Sequence, residues 1–342
     1  MPSIGPERGA AAPGPPLPPS PVPKRFPRPG PRAVLAGKLI VSAGLLAYLY
    51  AAAGKREVLD ALRNAPPALL LAALAASVME EGLRAYKQKR ILDGLGRSLS
   101  IGALAGLNLR TFALSFLLPG ELLGGGARIL LMRKHMSVED SLFLVLFDRY
   151  TQLGVTLLLG AGLSVALTDS PALIAAFALS GLALAAAPPV FLHAGLAARL
   201  ERILPAGWAS KAREAFLRLR SQFTWSPASL RVLAVSAAYQ AARGLVVWAL
   251  CFAAGIRLGF PVILLYLSLV ILVQHLPVSF GGVGLREATA VGFFGMYGVA
   301  AGNALALSIL IYALTLAKAA MGGLAGLPGG PAARPAPGAD PT

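Results

Sequence analysis

Cysteine is nearly absent: Cys251 is the single one in 342 residues and sits in an apolar run, so neither a disulfide framework nor a thiolate metal site is available. Histidine is almost as scarce, and His135, His193 and His275 lack ligand spacing, so no metal and no cofactor is expected. Enzyme signatures are missing as well. There is no Gly-x-Ser-x-Gly elbow, no His-Glu-x-x-His and no Gly-Lys-Ser or Gly-Lys-Thr after a glycine run, so serine-hydrolase, zincin and nucleotide P-loop chemistry have no carrier. Charged residues make up only 13%, and acidic ones are the rarer kind, 15 Asp and Glu against 31 Lys and Arg.

What the chain has instead is apolar length. With 56% hydrophobic residues and a mean hydropathy of +0.68, it holds several runs near the roughly 20 residues that span a bilayer core. A net charge of +16 raises the question of nucleic acid. The basic residues cluster at the ends of apolar runs, however, where each contributes about 1 kcal/mol of attraction to anionic headgroups. The expected partner is membrane phospholipid, with no nucleic acid.

The expected fold is an all-α polytopic membrane protein: about six spanning helices plus two re-entrant or short helical hairpins related as an inverted repeat. Residues 1–32 read as a disordered, basic, Pro-rich cytoplasmic tail, 33–327 as one helical transmembrane domain, and 328–342 as a second disordered tail. Within the domain, apolar helices are expected at about 33–53, 67–86, 100–118, 138–163, 170–192, 228–253, 261–276, 285–300 and 303–325, with basic segments at 84–97 and 199–220. Lys and Arg concentrate in the N-terminal tail and those two segments. The positive-inside rule therefore places the N-terminus in the cytoplasm. By parity, residues 100–137 leave and return to the inner face, and residues 261–300 leave and return to the outer one.

Each of those hairpins carries a glycine-rich break. The main one is Leu276-Pro277-Val278-Ser279-Phe280-Gly281-Gly282-Val283-Gly284-Leu285-Arg286-Glu287, and a weaker echo is Leu118-Pro119-Gly120-Glu121-Leu122-Leu123-Gly124-Gly125-Gly126-Ala127-Arg128. In both, a proline stops an apolar run, glycines follow, and an arginine opens the next run. Broken helices at bilayer depth are tolerated where they line a cavity, and paired breaks in two halves of a chain point to a transport site. A helix start beside Arg286 or Arg128 offers free N–H groups and a positive dipole end to a phosphate. The competing reading is a pair of tight turns with Arg and Glu at an interface. The candidate substrate-binding residues are thus Ser279, Gly281, Gly282, Gly284, Arg286 and Glu287, with Glu121, Gly124, Gly125 and Arg128.

Three further charges fall inside apolar helices, where each needs a partner or a function. Asp148 and Arg149 are adjacent, so they face different neighbours. Arg110 for Asp148 and Glu287 for Arg149 are the candidate partners, and a structural pair and a substrate role both remain open. Arg243, near Gln240, belongs to the same class. Glu80 and Glu81 read as an interfacial pair beside Arg84, and Lys318 as a snorkelling structural lysine. Asn108, Gln152 and His275 read as interhelical hydrogen-bonding groups.

The combination of Leu118-Pro119-Gly120, Gly124-Gly125 and Arg128, then Phe147-Asp148-Arg149, then Pro277 to Glu287 resembles the lysylphosphatidylglycerol synthase transmembrane (flippase-like) family, which also includes stand-alone inner-membrane proteins. The resemblance covers about residues 35–325. It implies a membrane domain that moves phospholipid, such as aminoacylated phosphatidylglycerol, between leaflets. Where the family commonly has an acidic residue after the paired glycines, this chain has Gly126, and the soluble transferase domain is expected to be absent after Leu327. The alternative function is an intramembrane lipid-modifying transferase with Glu287 and Asp148 as acid and base, or an accessory subunit. A separate synthase or a second copy of the chain is the expected protein partner.

Overall fold

A computed structural model of the chain describes residues 55–117, 128–132, 135–191, 227–274 and 283–324, with scattered positions between 40 and 51 and at 214 and 217. Both tails, most of the basic 199–220 segment, and the glycine-rich cores of the two breaks at 118–127 and 275–282 lie outside the described residues. Among those described, every regular element is helical: α1 Lys55–Arg63, α2 Pro67–Gly94, α3 Ile101–Leu117, α4 Val138–Leu167, α5 Pro171–Phe191, α6 Pro227–Ala253, α7 Phe260–Gln274, α8 Leu285–Gly295 and α9 Ala301–Leu324. Helices α4, α6 and Ala301–Gly323 of α9 are each long and apolar enough to cross a membrane. The pair Arg56–Arg63 and Pro67–Gly94, bent by 78°, passes the same test together. Shorter apolar helices are Ile101–Leu114, Pro171–Ala186 and Phe260–Gln274.

Local chemistry sets the helix ends. Pro66 and Pro67 open α2, where a missing N–H costs nothing. Ser137 accepts from the Asp140 N–H at 3.1 Å to open α4, and Glu139 and Asp140 complement the dipole of its first turn. Helix α6 closes through Gly255 at φ +77°, with Gly255 N–H donating to Phe252 O and Ile256 N–H to Cys251 O, the paired bonds of a Schellman ending. Three helix ends differ from the sequence expectation by four residues or more: α8 stops at Gly295 rather than 300, α4 runs to Leu167 rather than 163, and α2 runs to Gly94 rather than 86. Helix α2 continues past 86 to Gly94 because Ala85, Lys87, Gln88, Ile91 and Leu92 still project onto a buried face.

The bundle's two ends can be told apart by what packs at each. Ala65 and Ala73 near the start of α2 share a core with Ala253, Ala254 and Ile256 at the close of α6, whereas Ala85, Ile91 and Leu92 share another with Val232. Helices α2 and α6 therefore run antiparallel. At the Asp93 end, Arg97 Nε lies 3.0 Å from Asp140 Oδ2, so the chain that leaves as α3 has returned to the same end when α4 begins. At the opposite end, a Cβ on Gly255 would stand 3.0 Å from Asn303 Nδ2, and one on Gly302 would meet Glu57. The segment from α7 through α8 thus leaves and returns beside α1, at the other end of the bundle. The two hairpins open from opposite ends, as the parity of the sequence requires. The return helix α8, 11 residues, rises about 16 Å, roughly half a bilayer core.

Small residues bring the helices close. At Gly322 a Cβ would run into the Leu109 carbonyl, so α9 packs on α3 backbone to side. Gly322→Val is expected to cost about 1–3 kcal/mol through overpacking and to lower the unfolding midpoint in detergent, whereas the open Gly323 should tolerate the same change.

Candidate functional site

Between the hairpins lies a cavity of about 290 Å³. Its apolar wall is built from α6 and α7, including Val247, Leu250, Leu267 and Val270. Its polar wall holds Glu80, Glu81, Arg149, Arg243, Arg286 and Lys318, with the side chains of Arg84, Gln152 and Tyr266 beside them. A concave site with one apolar wall and one wall of converging charges suits a small polar group carried on an apolar body.

Arg286 reaches the cavity because the start of α8 is locked. Gly284 adopts φ +83°, a conformation that glycine takes without strain, and its N–H donates to Glu287 Oε2 at 2.7 Å. The other oxygen of Glu287 accepts from Arg286 Nε and Nη2 at 3.2 and 3.0 Å. Arg286 also donates to the Ser308 carbonyl at 3.5 Å and lies 3.9 Å over the Tyr312 ring, both on α9. Gly284, Arg286 and Glu287 thus form one unit as the motif implies, with only the arginine facing the cavity. Ser279, Gly281, Gly282 and His275 lie outside the described residues, as do Glu121, Gly124, Gly125 and Gly126.

Asp148 and Arg149 face different neighbours. Asp148, 1% exposed, sits among three cations: Lys87 Nζ at 2.8 Å, Arg128 Nη1 at 3.5 Å and Arg84 Nε at 3.6 Å. Gln88 Nε2 adds a donor at 3.2 Å. This corrects the expected pairing with Arg110, and Glu287 is held by Arg286 rather than Arg149. The cause is the extra length of α2, which turns Arg84, Lys87 and Gln88 from loop residues into a helix face packed on α4. Arg128, from the first break, donates Nη2 to Asn108 Oδ1 at 3.2 Å and does not line the cavity.

A second correction concerns Glu80, Glu81 and Lys318. None lies at an interface; all are under 10% exposed. Lys318 Nζ stands 2.9 Å from Glu81 Oε1 and 3.7 Å from Glu80 Oε2, and Arg84 Nη1 is 3.9 Å from the other Glu81 oxygen. Lys318 also lies 5.4 Å over the Phe112 ring. Alternating charges therefore run from Lys87 through Asp148, Arg84 and Glu81 to Lys318 and Glu80, joining the first hairpin to the cavity wall.

Arg243 is different. It lines the cavity and forms no ion pair or hydrogen bond among the described residues. Tyr266, 1% exposed, lines the same wall with a hydroxyl that has no hydrogen-bond partner among the described residues. Gln152 lines the cavity, as a polar residue in an apolar helix should. Sequence reasoning missed Lys87, Gln88, Tyr239 and Tyr266. For Lys87 a signal existed, since Lys87 and Ile91 are four apart on a run whose apolar spacing continues to Leu92. No group of three or more metal-ligating side chains occurs among the described residues.

The family model described as lysylphosphatidylglycerol synthase TM region matches residues 35–322. None of the curated proteins compared matches the chain. The family match takes in both hairpins, the Asp148 cluster and every wall of the cavity, so this multi-pass membrane protein belongs to the lysylphosphatidylglycerol synthase TM region family.

Proposed function

We propose that the chain translocates phospholipid between leaflets, holding the headgroup in the cavity while the acyl tails stay in lipid. The observation that carries this reading is the charge of the cavity wall: Arg243 and Tyr266 offer donors that no described residue accepts, beside Arg286. A buried donor without an acceptor costs about 1–3 kcal/mol, which a phosphate oxygen recovers. The hairpins opening from opposite ends suit alternating access around a fixed central site. In the proposed setting, residues 33–327 form one domain in a bacterial inner membrane with the N-terminus in the cytoplasm. A separate synthase or a second copy of the chain is the proposed protein partner.

The transferase reading needs a carboxylate that a substrate can reach. Asp148 and Glu287, the acid and base of that reading, are each 1% exposed, bound to cations and absent from the cavity wall, and the two carboxylates that do line it, Glu80 and Glu81, are both paired with Lys318, which favours transport over acid-base chemistry.

Arg243→Gln tests the proposal cleanly because it breaks no ion pair. In proteoliposomes with fluorescent phosphatidylglycerol, the translocation rate is expected to fall about tenfold or more, the worth of one charge-assisted hydrogen bond. The unfolding midpoint should stay within the range of surface variants. A wild-type rate in this variant, or a lipid whose mass changes on incubation, contradicts the proposal.

A further inference from the structure

We propose that Arg128 and Asn108, backed by the Asp148 cluster, form a second oxyanion site, separate from the cavity and joined to it by Arg84. Neither Arg128, Asn108, Lys87 nor Asp148 lines the cavity, whereas Arg84 touches both regions. The ligand class is a phosphate-type oxyanion carrying at least one negative charge, supplied either by a lipid phosphodiester or by free phosphate.

Charge makes the first argument. Among the described residues, the linked ion pairs hold four cations, Arg84, Lys87, Arg128 and Lys318, against three carboxylates, Glu80, Glu81 and Asp148. Lys87 lies closest to Asp148, Lys318 serves both glutamates, and Arg84 is divided between Asp148 and Glu81. Arg128, 3.5 Å from an oxygen it shares with Arg84 and Gln88, is the least compensated of the four. A net positive charge at this burial is costly without an anion.

Hydrogen bonding makes the second argument, and it locates the ligand. Arg128 is 5% exposed and Asn108 3%, yet Arg128 Nε and Asn108 Nδ2 have no acceptor among the described residues. The two residues are bonded to one another through Arg128 Nη2 and Asn108 Oδ1 at 3.2 Å. That bond fixes the amide, because turning it over would set donor against donor. Two unused donors on one bonded pair, at the least neutralised cation of the network, ask for an acceptor with more than one oxygen. A phosphate-type group meets that demand, and guanidinium matches its geometry.

Binding of free phosphate stands independently of transport; binding of the lipid form makes this a station on the translocation path and rests on the proposal above. The full-length protein in a phosphate-free maltoside detergent would be titrated with inorganic phosphate and, separately, with dioctanoyl phosphatidylglycerol. Calorimetry reports affinity and the unfolding midpoint reports stabilisation. The wild-type protein should bind at least one of them saturably, with a raised midpoint, and the arm that binds names the source. Asn108→Asp places a carboxylate beside Arg128 and supplies the acceptor from within the chain. This variant should show a higher midpoint without ligand, at least tenfold weaker binding and no ligand-induced shift. Misfolding would lower the midpoint, so the two causes separate. Arg128→Gln should also lose binding of inorganic phosphate, whereas Leu158→Cys, 74% exposed and outside both sites, should keep it. The inference is overturned if neither ligand stabilises the wild-type protein, if Asn108→Asp binds as the wild type does, or if Arg243→Gln alone removes binding. The last result would return the anion to the cavity and leave the transport proposal standing. A wild-type protein that binds phosphate here but moves no lipid would overturn that proposal and not this one.

Discussion

Asp148→Asn is expected to destabilise the folded chain by on the order of 3–5 kcal/mol, the largest effect of any single substitution considered. The carboxylate is 1% exposed and faces Lys87, Arg84 and Arg128. Asparagine keeps the shape and removes the carboxylate shared by three neighbouring cations, of which only Arg84 has a second carboxylate, Glu81, among the described residues. Lys87, also 1% exposed, lies 2.8 Å from Asp148 Oδ1 and donates to the Asp148 carbonyl at 2.9 Å, and among the described residues it pairs with no other carboxylate. Adding Lys87→Met to Asp148→Asn should therefore recover a substantial part of the loss, since it removes one of the stranded cations. Unfolding midpoints of the two single variants and the double variant in detergent check this. Strict additivity would show that the pair is not coupled.

The second large effect separates folding from transport at Arg286. Arg286→Ala leaves Glu287, 1% exposed, without its counterion, so loss of fold and loss of function would coincide. The reason is the lock between Arg286, Glu287 and Gly284. The double variant Arg286→Met, Glu287→Gln removes both charges together. The glutamine oxygen can still accept from the Gly284 N–H, which preserves the start of α8. Its stability should stay within about 1.5 kcal/mol of wild type, as for a volume-conserving swap. Lipid translocation should fall about 10- to 100-fold, through loss of one charge-assisted contact to the headgroup. Normal translocation by this variant would remove Arg286 from the site.

Much of this arrangement was legible in the order of residues. Proline, glycines and an arginine in two places mark helix breaks, and the lysine and arginine distribution fixes the parity that Arg97–Asp140 and Gly255–Asn303 bear out in space. The capping unit at Gly284 and Glu287 is local, within four residues, and so can be read from spacing alone. What was not legible is pairing across helices. Asp148 meets Lys87 because α2 and α4 pack at that height, and Lys318 meets Glu80 and Glu81 because α9 returns to the middle of α2. Nothing in the spacing of one helix specifies the rotation of another against it. The same ignorance made Glu80 and Glu81 look interfacial: a run of Glu80, Glu81, Arg84, Lys87, Lys89 and Arg90 has the composition of a helix end, and only the packing of neighbouring helices buries Glu80, Glu81 and Lys87 while Lys89 and Arg90 stay about a third exposed.

Everything functional here depends on water reaching a polar space deep between the two hairpins. Single cysteines placed in a Cys251→Ala background measure that directly, through reaction with a membrane-impermeant maleimide in proteoliposomes. Gln152→Cys, on the cavity wall of α4, should be labelled, whereas Leu158→Cys, 74% exposed on the same helix and facing lipid, should not. A Gln152→Cys protein that stays unreactive from both faces, or a Leu158→Cys protein that reacts instead, would contradict the account.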